Sequence, residues 1–105
     1  MTHQFHPPFP SLNLKDSVLV LTGGALGVGA QIVRLAHSAG AHVFFGDVLT
    51  SAGEELAASL NVEDGPTVRF LNCDVTSYAD TLALFDAAFS EFGHVDHAIA
   101  NAGIG

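Results

Sequence analysis

The sequence predicts an α/β fold, a doubly wound parallel sheet of about four strands in the order 3-2-1-4 with three helices. Three observations predict it. Short apolar runs alternate with stretches of helical periodicity, β-α-β-α-β-α-β, and that alternation calls for parallel strands joined by right-handed crossovers. A glycine-rich turn, Thr22-Gly23-Gly24-Ala25-Leu26-Gly27-Val28-Gly29, joins the first strand to the first helix. An acid, Asp47, ends the second strand, and open sheets of this kind bind ligands at the carboxyl ends of their strands. The order 3-2-1-4 puts the first two helices on one face and the third on the other.

The elements follow in turn. Residues 1–16 read as a loosely ordered arm, with Pro7, Pro8, Pro10, His3 and His6 in no periodic pattern. Residues 17–21 (SVLVL) form a buried strand. Residues 27–39 carry Ile32, Val33, Leu35 and Ala36 as an apolar stripe at helical spacing, and Gly40 stands where a helix stops. Residues 41–46 (AHVFFG) are the second strand. Ser51 and Glu54 have capping-box spacing and open a helix through Leu56, Ala57 and Leu60. Gly65-Pro66 is a turn, and residues 67–72 are the third strand. Ser77 caps a longer helix, in which Leu82, Phe85, Phe89 and Phe92 make a stripe expected to face the core; Gly93 ends it. Residues 95–100 (VDHAIA) are the fourth strand. Residues 17–105 together read as one partial nucleotide-binding domain.

Composition narrows the function. The 105 residues are 49% hydrophobic and 13% charged, which suits one small globular domain. Three basic residues (Lys15, Arg34, Arg69) face eleven acidic ones, for a net charge of −8. Such a chain is repelled by nucleic-acid phosphates and by anionic membranes. No apolar run approaches the ~20 residues of a membrane span, and the start lacks the basic-then-apolar order of a secretory signal. The single cysteine, Cys73, reads as a small buried hydrophobe and fits a reducing, cytoplasmic setting. No His, Cys or acidic cluster has the spacing of a metal site.

The chemistry gathers at the ends of the four strands. Gly23 allows a tight turn, Gly27 lets the backbone approach a pyrophosphate, and Gly29 lets the helix pack against the sheet. The helix N-terminus offers free N–H groups and partial positive charge, so the anion needs no basic side chain. There is no Gly-Lys-Ser or Gly-Lys-Thr, so a P-loop is excluded. Asp47 can accept hydrogen bonds from both hydroxyls of an adenosine ribose. It would repel the 2′-phosphate of NADP, with no Arg or Lys near it in sequence, so NAD is preferred. Cys73-Asp74-Val75 follows the third strand and Asn101-Ala102-Gly103 the fourth.

With those residues quoted, the chain resembles the N-terminal part of a short-chain dehydrogenase/reductase, a Rossmann-type fold. Thr22 to Gly29 matches that family's Thr-Gly-x-x-x-Gly-x-Gly motif, Asp47 its NAD-selecting acid, and Asp74-Val75 its adenine-contacting pair. Residues 100–103 match its Asn-Asn-Ala-Gly motif, except that Ala100 replaces the first Asn and cannot make the sheet-tying hydrogen bonds of that side chain. The resemblance implies cofactor contacts from Thr22, Gly23, Leu26, Gly27, Val28, Asp47, Val48, Asp74, Val75, Asn101, Ala102 and Gly103. It implies NAD-dependent hydride transfer between an alcohol and a carbonyl compound.

The family's catalytic Ser, Tyr and Lys lie beyond the Asn-Ala-Gly motif, and no Tyr-x-x-x-Lys stands in this sequence. Tyr78 is the only tyrosine, with Leu82 in the fourth position after it, and Lys15 is the only lysine. The 105 residues are therefore expected to be the cofactor-binding half of a longer protein, inactive by itself. In many family members dimer contacts come from helices after the fourth strand, so oligomeric state stays open. The alternative is a non-catalytic nucleotide-binding or interaction module completed by a partner chain at the apolar edge of residues 95–100. A methyltransferase also uses a glycine-rich first turn, but the glycine spacing and Asn101-Ala102-Gly103 count against it.

Overall fold

Burial along β1 (Val18–Thr22) is complete, because this strand has a neighbour on each side and helices over each face. The computed structural model describes residues 13–101. The remaining elements are α1 (Gly27–Ser38), β2 (His42–Asp47), α2 (Thr50–Leu60), β3 (Val68–Asn72), α3 (Tyr78–Phe92) and β4 (His97–Ala100). The strands form one parallel sheet in the order β3-β2-β1-β4, as the alternation predicts. Right-handed crossovers then place α1 and α2 on one face and α3 on the other.

Period-two alternation divides the core between those faces. Leu19 and Leu21 of β1, with Val43 and Phe45 of β2, point toward α1 and α2, where Val33, Ala36 and Leu56 meet them. Val18, Val20 and Phe44 point the other way, onto Leu84 and Ala88 of α3. Phe45 lies 5.3 Å from Phe70, and Phe44 meets Phe92 edge-on at 5.9 Å.

The helix ends show where sequence reading succeeds and where it misses. Gly40 follows α1 in a Schellman arrangement: its N–H reaches the His37 carbonyl, and that of Ala41 reaches Ala36. Ser77 caps α3 by accepting from the Asp80 N–H, and Gly93 stops it with φ 79°. The capping box at Ser51 does not form. Helix α2 starts at Thr50 after Leu49, with no side-chain cap. The Asp47 carboxylate takes the Leu49 N–H at 3.1 Å, so a residue upstream serves the entry to this helix.

The stripe expected on α3 is also corrected. Phe85 and Phe92 pack against the core as expected, but Leu82 and Phe89 are exposed, and the fully buried positions are Leu84 and Ala88. Helix α3 is apolar nearly all round, so periodicity alone could not choose its face. Ala88 is small enough for the helix to close on Val18, Val20 and Phe44. The fourth strand is shorter than expected, beginning at His97.

Residues 1–12 lie outside the described residues. The stretch 13–16, read as the end of the arm, is joined to the fold: the Leu14 N–H donates to Ala39 at 2.8 Å, and that of Asp16 to Gly40 at 3.3 Å. Leu14 packs against the α1–α2 side of the core. Asn61 was not singled out by its sequence position. Its side chain accepts from the Val68 N–H and donates to the carbonyls of Val68 and Ala57, so it stitches the end of α2 to the outer edge of β3.

Candidate functional site

Because β1 lies between β2 and β4, the turn that leaves it is flanked by the carboxyl ends of both neighbours. Gly23 and Gly27 take positive φ of 79° and 61°, values that a side chain strains against. A Cβ on Gly27 would meet nothing within 4 Å, so the backbone there is open to an approaching ligand. A Cβ on Gly29 would lie 1.8 Å from the Gly23 carbonyl, which explains why the helix can begin so close to the strand. Thr22 is the buried last residue of β1, and Leu26 and Val28 are exposed on the turn.

The N-terminus of α1 has no side-chain cap and no acid in its first turn. Helix α3 differs, with Ser77 capping it and Asp80 in its first turn. The α1 terminus thus keeps its partial positive charge available to an anion, and that of α3 is answered within the protein.

The Asp47 carboxylate sits beside the glycine turn. Its Oδ2 accepts from the Ala25 N–H at 3.1 Å and its Oδ1 from the Leu49 N–H at 3.1 Å. Each oxygen keeps acceptor capacity for a ribose hydroxyl. Val48, next in the chain, is exposed. No Arg or Lys is near Asp47 in sequence; in the fold Arg34 of α1 lines a groove with Ala25, Leu26 and Glu55 of α2, and Asp47 is not part of that lining.

At the end of β3, Asp74 is exposed. Its Oδ1 accepts from the Thr76 hydroxyl at 2.7 Å and the Thr76 N–H at 2.9 Å. Those two bonds hold its carboxyl below the usual aspartate range. Val75 beside it is exposed. Cys73 is buried, and burial pushes its thiol up. A hydrogen bond with Thr81 opposes this, and the nearby carboxylates of Asp80, Asp74 and Asp47 reinforce it. A thiol held neutral in this way is no nucleophile.

At the end of β4, the Asn101 backbone N–H donates to the Thr22 carbonyl at 3.1 Å, and its side-chain amide to the Gly23 carbonyl at 3.0 Å. The side chain therefore faces the turn. Ala102 and Gly103 lie outside the described residues. Ala100 is exposed at the end of β4.

Sequence reading passed over Gly46. Its carbonyl accepts from the N–H groups of Gly23 and Gly24, at 2.7 and 3.3 Å. A Cβ there would lie 2.6 Å from that of Cys73. The available signal was a glycine inside an otherwise bulky strand, which marks a close backbone approach.

A family model described as short chain dehydrogenase matches residues 17–105. Over 94 residues the chain is 39% identical to (+)-borneol dehydrogenase 1 of Salvia officinalis, covering 90% of this chain and 35% of that one. Over 98 residues it is 41% identical to sex determination protein tasselseed-2 of Zea mays, covering 92% and 28%. A hydroxysteroid dehydrogenase from Escherichia coli superposes with a TM-score of 0.80 at 31% identity, over 89% of this chain and 39% of that one. A short chain dehydrogenase/reductase from Burkholderia phymatum, solved in complex with NAD, gives 0.76 at 29% identity, over 82% and 30%. The chain spans about a third of the length of the curated relatives it matches.

Proposed function

The chain belongs to the short-chain dehydrogenase/reductase family, and on that premise we propose that its carboxyl-end edge binds NAD in preference to NADP. One observation carries the preference: the Asp47 carboxylate ends β2 beside the glycine turn, within 3.1 Å of the Ala25 N–H. A carboxylate so placed accepts from two ribose hydroxyls and repels a 2′-phosphate. The pyrophosphate is assigned to the open first turn of α1, over Gly27 and Val28. The adenine is assigned to the exposed apolar side chains of Val48 and Val75, with Asp74 beside them. Thr22, Gly23, Leu26, Asn101, Ala102 and Gly103 complete the proposed contact set. When bound, the dinucleotide supplies a nicotinamide carbon that accepts or gives a hydride.

The proposed lineage chemistry is oxidation of an alcohol, or its reverse, and the 105 residues alone are proposed to bind the cofactor without turnover. Tyr78 opens α3 in an exposed position with no lysine near it. Lys15 precedes β1, so it lies at the opposite end of the strand. The five residues of β1, at roughly 3.3 Å each, separate it from the site. The lone buried Cys73 supports a reducing, cytoplasmic setting.

The test is a pair of titrations with NAD and NADP on the purified chain, with Asp47→Ala alongside. Wild type should prefer NAD, and the variant should lose roughly tenfold or more of that preference, the scale of hydrogen bonds to a charged acceptor. Equal affinity for the two cofactors in wild type would sink the preference. An assay with NAD and a panel of secondary alcohols completes the test, and turnover above background would refute the inactivity of these residues alone.

A second reading draws on β4, which is exposed at three of its four positions. A cofactor-binding module of this kind would be completed by another chain along that strand. Sedimentation showing a stable monomer at all concentrations would count against it.

A further inference from the structure

The glycine turn is held by two rails. On one side, Gly23 N–H and Gly24 N–H donate to the Gly46 carbonyl, and Ala25 N–H donates to Asp47 Oδ2. On the other, the Asn101 amide holds the Gly23 carbonyl. The first rail thus engages three successive N–H groups, and its last contact alone is made by a side chain.

We propose that Asp47 is a positioning residue for the pyrophosphate turn: its carboxylate clamps the Ala25 N–H and so aims the following N–H groups, those of Gly27 and Val28, at the anion. The proposal rests on the cofactor reading above and adds a role separate from ribose recognition. Three facts support it. Ala25 is 4% exposed, so water cannot readily replace the carboxylate at its N–H. The second oxygen, Oδ1, is anchored on the Leu49 N–H, which fixes the carboxylate plane. Each oxygen uses one acceptor position for the protein and keeps others for the ribose, so both roles fit one side chain.

The clamp and simple electrostatics predict opposite signs. Asp47 is a negative charge close to the proposed anion site, so on charge alone its removal should tighten the binding of inorganic pyrophosphate. If Asp47 positions the turn, its removal weakens that binding, because the donors lose their common aim.

The experiment uses the full 105-residue chain. Amide exchange is followed by NMR without ligand, and inorganic pyrophosphate is titrated by calorimetry. In Asp47→Ala, exchange at Ala25 should accelerate by at least about tenfold, the scale of one hydrogen bond to a charged acceptor. Exchange at Phe44, in the buried middle of β2, should stay slow and certify folding. Asp47→Asn keeps one oxygen acceptor, so it should protect Ala25 or Leu49 but not both, and it carries the test should Asp47→Ala unfold. Pyrophosphate affinity should fall in Asp47→Ala. Unchanged exchange at Ala25 in a folded variant, or tighter pyrophosphate binding, overturns the proposal. Protected Ala25 in a wild-type chain that fails to bind NAD would defeat the cofactor reading and leave the clamp standing. NAD binding with Ala25 exchange insensitive to Asp47 would do the reverse.

Discussion

Strands β1 and β4 lie side by side in parallel register, with Leu21 opposite Ile99, yet their surroundings differ at every position. All five residues of β1 are buried, and three of the four in β4 are exposed. Both strands are apolar, so composition is not the cause. Strand β1 has β2 and β4 as partners, α1 on one face and α3 on the other. Among the described residues, β4 pairs with β1 alone. One of its faces opens onto a groove with Leu14 and Leu19, the other onto a groove with Val20 and Phe85. Hydrophobic sequence makes a strand able to be buried, and its neighbours decide whether it is.

Replacement of the register partners should give the largest contrast. Leu21→Ala should cost about 2–5 kcal/mol, the range for a fully buried leucine. Ile99→Ala should cost less, roughly 1–2 kcal/mol, because Ile99 is only partly buried against the α1–α2 side of the core. Urea unfolding of the two variants measures both, and equal losses would break the comparison.

A smaller effect is expected where the two strands begin. The Val18 N–H donates to Asp96 Oδ2 at 2.8 Å, and the Asp96 N–H returns a bond to the Val18 carbonyl at 2.8 Å. The same oxygen lies 3.0 Å from His94 Nε2. Asp96→Ala strips the acceptor from a fully buried N–H and should cost about 1–3 kcal/mol. Faster amide exchange at Val18, with Phe44 unaffected, would show that the loss is local to this junction.

The smallest effect on stability should come from Ala98→Lys, within about 0.5 kcal/mol on an exposed position. Its consequence should be seen in association. A lysine on an edge strand discourages pairing with another chain, so light scattering at high concentration should fall relative to wild type. Scattering that is unchanged would mean that β4 is not the adhesive surface.

The site was legible in sequence to the extent that its residues stand next to each other. Thr22 to Gly29 declares a turn between strand and helix, and Asp47, Asp74 and Asn101 each follow a recognisable strand. What could not be read was how these pieces touch. The clamp of Asp47 on Ala25 joins residues 22 apart, and that of Asn101 on Gly23 joins residues 78 apart. The Ser51 cap failed for a related reason, since Asp47 had already taken the Leu49 N–H and the helix could start two residues earlier.

The sequence by itself determined the alternation of strands and helices, their order in the sheet, and the family to which the chain is similar. Each of these follows from patterns over a few adjacent residues: periodicity, glycine spacing, and an acid at a strand end. Tertiary structure alone decided which face of α3 is buried and that Gly46 and Asn101 brace the glycine turn. Those outcomes depend on which surfaces meet across the sheet, and a hydrogen bond or a buried methyl group is decided by the atoms opposite it rather than by its neighbours along the chain.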